Sequence, residues 1–152
     1  MEKKTIFIGI DPDTKKSGVA VYTEYPLIND IFQLSNLSFF ELFVFLLNWL
    51  TYANKAEQKI LVIIDAGWLN KSNFHVTGTN KKINGKIGER VGANHETGKK
   101  IVEMCEFLNI DHKLHKPTKS KVNADFFAKI TNYKGRTNQD QRDAGMLVYG
   151  MK

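Results

Sequence analysis

Cysteine is almost absent. Cys105 stands alone in a chain of 152 residues, so no internal disulfide framework holds the fold. It lies in the apolar pattern Ile101-Val-Glu-Met-Cys-Glu-Phe-Leu108 and reads as a buried, inert thiol, not a nucleophile. Long hydrophobic runs are missing too. The most apolar segment, Ser38-Phe-Phe-Glu-Leu-Phe-Val-Phe-Leu-Leu-Asn-Trp-Leu50, is too short to span a bilayer and contains Glu41 and Asn48, so no membrane partner is expected. Met1-Glu-Lys-Lys leads straight into a strand pattern without a secretory apolar region, and with the single cysteine this predicts a cytoplasmic protein. There is no internal repeat and no low-complexity linker. No His/Cys set has zinc spacing: His75, His95, His112 and His115 are scattered and read as surface or hydrogen-bonded side chains. Arginine is sparse beside lysine, which favours neutralisation of backbone charge over bidentate reading of bases.

What is present fits one compact domain over residues 1–152, with 42% hydrophobic and 25% charged residues. The net charge of +6 and pI near 9.3 tilt the expected partner toward a polyanion. Thr5 to Asp11, Ser17 to Glu24 and about Asp30 to Leu34 read as strands joined by short turns. Ser38 and Glu41 have capping-box spacing, which starts a helix running to about Asn54. Lys59-Ile-Leu-Val-Ile-Ile-Asp65 is a fully apolar run, expected as a central strand with a parallel neighbour. From Trp68 to about Gly88, Asn, Gly, Thr and Lys dominate, and a long loop or mobile flap is expected. Glu89 to Asn109 reads as a helix, Asp111 to His115 as a short strand, and Lys121 to Thr131 and Asn138 to Tyr149 as helices. That order predicts an α/β fold, a mixed sheet covered by helices.

The chemistry concentrates in carboxylates. In Ile8-Gly-Ile-Asp-Pro-Asp-Thr-Lys-Lys-Ser-Gly-Val-Ala-Val-Tyr22 an apolar strand ends in Asp11, and the second apolar strand ends in Asp65. A carboxylate at such a place is costly to desolvate unless paired, hydrogen-bonded or metal-bound. In Asn138-Gln-Asp-Gln-Arg-Asp-Ala144, Asp140 and Asp143 stand three apart, on one face at a helix start where the dipole favours negative charge. Each feature has a plain alternative: a solvated turn aspartate, or an acidic helix start on the surface. Together, four carboxylates repel unless something positive sits among them. Hard divalent cations with oxygen ligands fill that role: two Mg²⁺, with Mn²⁺ as a substitute, could activate water and stabilise the leaving oxygen of a phosphodiester. No organic cofactor is expected.

Basic residues gather in two places. Lys71, Lys81, Lys82, Lys86, Arg90, Lys99 and Lys100 outnumber Glu89 and Glu96. His115-Lys-Pro-Thr-Lys-Ser-Lys121 adds Lys116, Lys119 and Lys121. Either group is a phosphate-contacting surface or a solvated lysine face. Trp68 follows Asp65 by three residues in a polar stretch with little core to join, and is read as a base-stacking side chain, with packing as the alternative.

Over nearly its whole length the chain resembles the RuvC-type Holliday junction resolvases of the RNase H-like superfamily. Ile8-Gly-Ile-Asp-Pro12 with Ser17-Gly18 looks like that family's first strand and hairpin, Val62-Ile-Ile-Asp65 like the strand ending in its second acid, and Asp140, Asp143 and Ala144 like its closing D-x-x-D-A helix. Gly92 to Gly98 is similar to the Gly-spaced helix that follows the second acid. The resemblance implies a five-stranded mixed sheet flanked by helices, with Asp11, Asp65, Asp140 and Asp143 as catalytic metal ligands and a basic surface on DNA phosphates. It also implies an aromatic near Trp68 that unstacks the junction centre, and a homodimer cutting branched DNA symmetrically in recombination and repair. The Glu89 to Asn109 helix, with Gly92, Ala93 and Gly98, is the expected dimer interface. Two positions depart from the family pattern: Asp13 stands where Gly is usual, and Asp65 where Glu is usual, one methylene shorter. Asp13 is expected as a solvated turn residue, or else as an outer-sphere ligand.

Other readings stay open. The same four acids suit an RNase H-like nuclease for flaps, forks or RNA–DNA hybrids. Asp65 in place of Glu leaves room for a non-catalytic junction-binding protein. Asp11 to Gly18 also looks like the phosphate loop of sugar kinases and actin-like ATPases, which clamp nucleotide between two such domains where this chain has one.

Overall fold

Strand periodicity sorts the first apolar run onto two faces of a sheet. The computed structural model describes residues 3–24, 31–70 and 81–152, apart from the side chains of 81–84. Strand β1 (Thr5–Asp11) turns Ile6, Ile8 and Ile10 to one side and Phe7 to the other. It pairs antiparallel with β2 (Ser17–Thr23), Asp11 lying opposite Gly18, and β2 pairs antiparallel with β3 (Ile31–Leu37). On its other edge β1 runs parallel to β4 (Lys59–Asp65), which runs parallel to β5 (Asp111–His115). The result is a five-stranded mixed sheet in the order β3-β2-β1-β4-β5, as expected.

Helix α1 (Phe39–Lys55) and the long helix α2 (Lys81–Phe107) cover one face. Leu42, Leu46, Ile101, Met104 and Cys105 pack there on Ile6, Ile8, Ile10, Val62 and Ile64. Ser38 starts α1 with the expected capping box: its hydroxyl accepts from the Glu41 amide at 3.3 Å, and Glu41 accepts from the Ser38 amide at 2.8 Å. Cys105 is fully buried, and burial pushes its thiol up to about 12, so it is the inert side chain expected. Among the described residues, no helix is long and apolar enough to cross a membrane.

Helix α4 (Gln139–Val148) covers the opposite face, placing Ala144 and Val148 on Phe7, Ala20, Tyr22 and Ile63. Two glycines set its height. A Cβ at Gly9 would collide with the carbonyl oxygen of Ala144, and one at Gly18 with the backbone of Asp140. Only glycine permits so close an approach, and it seats the start of α4 against the ends of β1 and β2. Asn138 caps the helix, accepting from the Gln141 amide at 2.9 Å. Helix α3 (Ala124–Thr131) precedes it and buries Phe127.

Three expectations need correction. Residues 81–88 are helical, not loop: α2 begins at Lys81, because Lys, Ile, Glu and Arg between its glycines sustain helix, and Gly85, Gly88 and Gly92 sit where nothing crowds them. The rest of the expected flap from Lys71 lies outside the described residues, and a short 3₁₀ turn (Gly67–Leu69) precedes it. Helix α3 starts at Ala124, not Lys121, because Asn123 caps it by accepting from the Phe126 amide at 2.8 Å. Strand β3 extends to Leu37, three residues beyond its expected end, since its whole length pairs with β2.

Candidate active site

The sheet brings two acids side by side. Ile10 pairs with Ile64 in the parallel β1–β4 ladder, so Asp11 and Asp65 leave neighbouring strand ends together. Helix α4, lowered onto Gly9 and Gly18, delivers Asp140 and Asp143 to the same place. The four acids foreseen from sequence therefore form one electrostatic group. Burial, reinforced by the charges of Asp143, Asp65 and Asp140, pushes Asp11 up to about 8. Burial also raises Asp65, against the opposing effect of His115, and raises Asp140, where Asp13 and Asp143 add to the shift.

Lys121 belongs to this group. Expected among the phosphate-contacting residues, it forms an ion pair with Asp143 and borders both clefts beside the acid cluster. Burial works against its charge, but the bond to Asp143 and the charges of Asp143, Asp11 and Asp65 hold its pKa above the ordinary lysine value. The other oxygen of Asp143 accepts from Gln139 Nε2 at 2.7 Å. Arg142 ties the incoming segment to α4, donating from Nε to the Val122 carbonyl at 2.9 Å and from Nη1 to the Thr137 carbonyl at 2.9 Å.

At the far edge, β5 contributes His115. Its backbone lies opposite Asp65 in the ladder, its carbonyl accepts from the Ala66 amide at 2.7 Å, and its Nδ1 lies 3.3 Å from Asp65 Oδ1. Two clefts open beside these groups and share Asp65, Pro117 and Lys121. One, of about 240 Å³, also takes in His115, Asp143 and Met146. The other, of about 190 Å³, takes in Asp11, Trp68, Asn94 and His95. Asp13 is the turn residue expected: its Oδ1 accepts from the Lys15 amide at 2.8 Å, and Asn94 braces the same turn by accepting from the Thr14 amide at 3.1 Å.

Trp68 does find core to join, contrary to the sequence reading. Its half-buried indole packs against the apolar cluster under α2, edge-on to His95 at 6.4 Å, and fills the space a side chain at Gly98 would need. Gly98 thus makes room for the protein's own tryptophan, whereas Gly92 and Ala93 are exposed. Lys86 and Arg90 are exposed on α2, and Lys116 and Lys119 after β5. Lys71 lies outside the described residues, as do the side chains of Lys81 and Lys82.

The donor set is all oxygen, partly buried and mutually repulsive, which suits a hard divalent cation. The positions fit less closely: among the described residues, no three His, Cys, Asp or Glu side chains gather tightly enough to hold one ion. His115 and Gln139 were not foreseen. His115 was readable once β5 was set parallel to β4, since the strand ends then meet; Gln139 stands four residues before Asp143 on one helix face.

No family model and no curated protein matches the chain. Among solved structures it is similar to Thermus thermophilus RuvC in complex with a Holliday junction substrate, with TM-score 0.46 and 13% identity over 93% of this chain and 88% of that one. A second Thermus thermophilus RuvC structure is similar with TM-score 0.45 and 11% identity, over 92% of this chain and 89% of that one.

Proposed function

We propose that the chain is a divalent-cation-dependent endonuclease that resolves four-way DNA junctions. The observation that carries the reading is the meeting of Asp11 and Asp65, at adjacent parallel strand ends, with Asp140 and Asp143 on the helix seated over them. Cations held by these four acids, two Mg²⁺ in the fullest form, would supply an activated water and neutralise charge on the scissile phosphate. The protein does the rest. Its strand ends fix Asp11 and Asp65, Gln139 fixes the rotamer of Asp143, and His115 fixes Asp65. Lys86, Arg90, Lys116, Lys119 and Lys121 contact the phosphate backbone in this reading, and Lys71, Lys81 and Lys82 are assigned to the same role from sequence alone. Such contacts position DNA without reading its bases. Trp68, at the rim of the cleft that contains Asp11, offers its exposed edge to an unstacked base.

A four-way junction is the substrate that the motif order favours, and a homodimer would place two such sites on opposing strands. The test is a panel of labelled four-way junction, flap, fork, RNA–DNA hybrid and linear duplex, each with Mg²⁺ or Mn²⁺. Paired, symmetric nicks in the junction alone are expected. Preferred cutting of the hybrid or flap would reassign the substrate, and tight junction binding without cleavage in either metal would make the chain a junction-binding protein.

A further inference from the structure

Lys121 occupies the place where an acid cluster needs a cation from outside. Its ammonium is paired with Asp143 Oδ2, the charges of Asp11 and Asp65 act on it, and it borders both clefts. Gln139 holds the second oxygen of Asp143, so both oxygens of that carboxylate are engaged inside the protein. The backbone beside Lys121 is pinned: the Val122 carbonyl accepts from Arg142 at 2.9 Å and from Gln139 at 3.4 Å, and Asn123 is the cap of α3. The ammonium end is freer, since its side chain is 54% exposed against 12% for Asp143. A lysine on a fixed root with a free stem can leave its partner without disturbing the fold.

A divalent cation on Asp143 Oδ2 would place its charge beside this ammonium, and the two cations repel at such close range. Among the described residues, no three acidic side chains gather tightly enough to hold one ion. We propose that Lys121 is a built-in competitor of the divalent cation: it neutralises the acids until the cation arrives, is displaced from Asp143, and leaves its ammonium free for a DNA phosphate. No covalent bond changes; one ionic partner replaces another. The inference rests on the metal-dependent reading above, and its consequence is an order of events. Cation binding converts Lys121 from an internal counter-ion into a DNA contact, so the site becomes ready for substrate only once loaded.

The test uses the wild-type protein and one variant. Acylation of lysines, read by mass spectrometry, should be slower at Lys121 than at Lys116 and Lys119 without metal. Adding Mg²⁺ should speed Lys121 about fivefold, the scale of a partly exposed ion pair, and leave the other two unchanged. A Lys121 rate that stays fixed or falls overturns the displacement. In parallel, Lys121→Met should bind Mn²⁺ about fivefold more tightly than wild type by calorimetry. Equal or weaker binding rejects the competition while leaving the metal reading intact. Absence of Mn²⁺ binding in both proteins removes the metal reading itself, and the inference with it. The labelling arm decides the matter if Lys121→Met fails to fold.

Discussion

Asp11 holds its proton where an ordinary aspartate has lost it, because burial and three neighbouring carboxylates push it from 3.8 up to about 8. Between those values the folded protein keeps a proton that the unfolded chain has released. The stability tied to this group is therefore full below about pH 4 and lost as the pH rises toward 8. Asp11→Asn removes the titration. Its metal-free melting should fall less between pH 5 and pH 8 than that of wild type, leaving it ahead by roughly 2 kcal/mol, under the ceiling of about 1.4 kcal/mol per pH unit. Cleavage should vanish while junction binding persists, measured on the same preparation. Retained cleavage would take Asp11 out of the reaction. His115 calls for a different experiment. Its bond to Asp65 steadies one of the acids proposed to hold the cation, so His115→Ala should weaken apparent Mg²⁺ affinity by roughly 10–100-fold. His115→Asn should recover part of that, and the Mg²⁺-induced rise in melting temperature is the readout. Equal Mg²⁺ responses in all three proteins would leave His115 a bystander.

Helix α4 is positioned by what two strands lack. Replacing Gly18 with Ala puts a methyl group into the backbone of Asp140 and lifts the helix start. The overpacking should cost about 1–3 kcal/mol in a denaturant melt, and cleavage should fall further than the loss of folded protein explains. Proportionate losses of stability and activity would mean that Asp140 tolerates displacement. Much at this scale was legible in sequence. Apolar runs ending in Asp11 and Asp65 marked the central strands, Ser38 with Glu41 marked a helix start, and Asp140 with Asp143 marked the acidic turn. What stayed hidden depended on partners far along the chain. Trp68 looked exposed because its neighbours in sequence are polar, yet its packing partner is Gly98 on α2. Lys121 looked like one of a run of surface lysines, and only the docking of α4 shows that it meets Asp143. Residues 81–88 looked like loop because glycines obscured a helix whose support comes from its later, buried turns.

For the whole molecule, a net charge of +6 concentrated outside the acid cluster predicts junction binding that weakens steeply with salt, since each phosphate contact releases counter-ions. Gel-shift titrations should give a log–log slope of several units, and a flat response would exclude the lysine surface as the DNA contact. The topology has another outcome, one that concerns time. Asp11 leaves the first described strand, whereas Asp140 and Asp143 sit on the last described helix, which packs directly on β1 and β2. Contacts between segments so distant in sequence are entropically slow to form. The acids gather only when the two ends of the fold come together. Under the proposed function, the site that cuts would therefore be complete only once α4 has docked on β1 and β2.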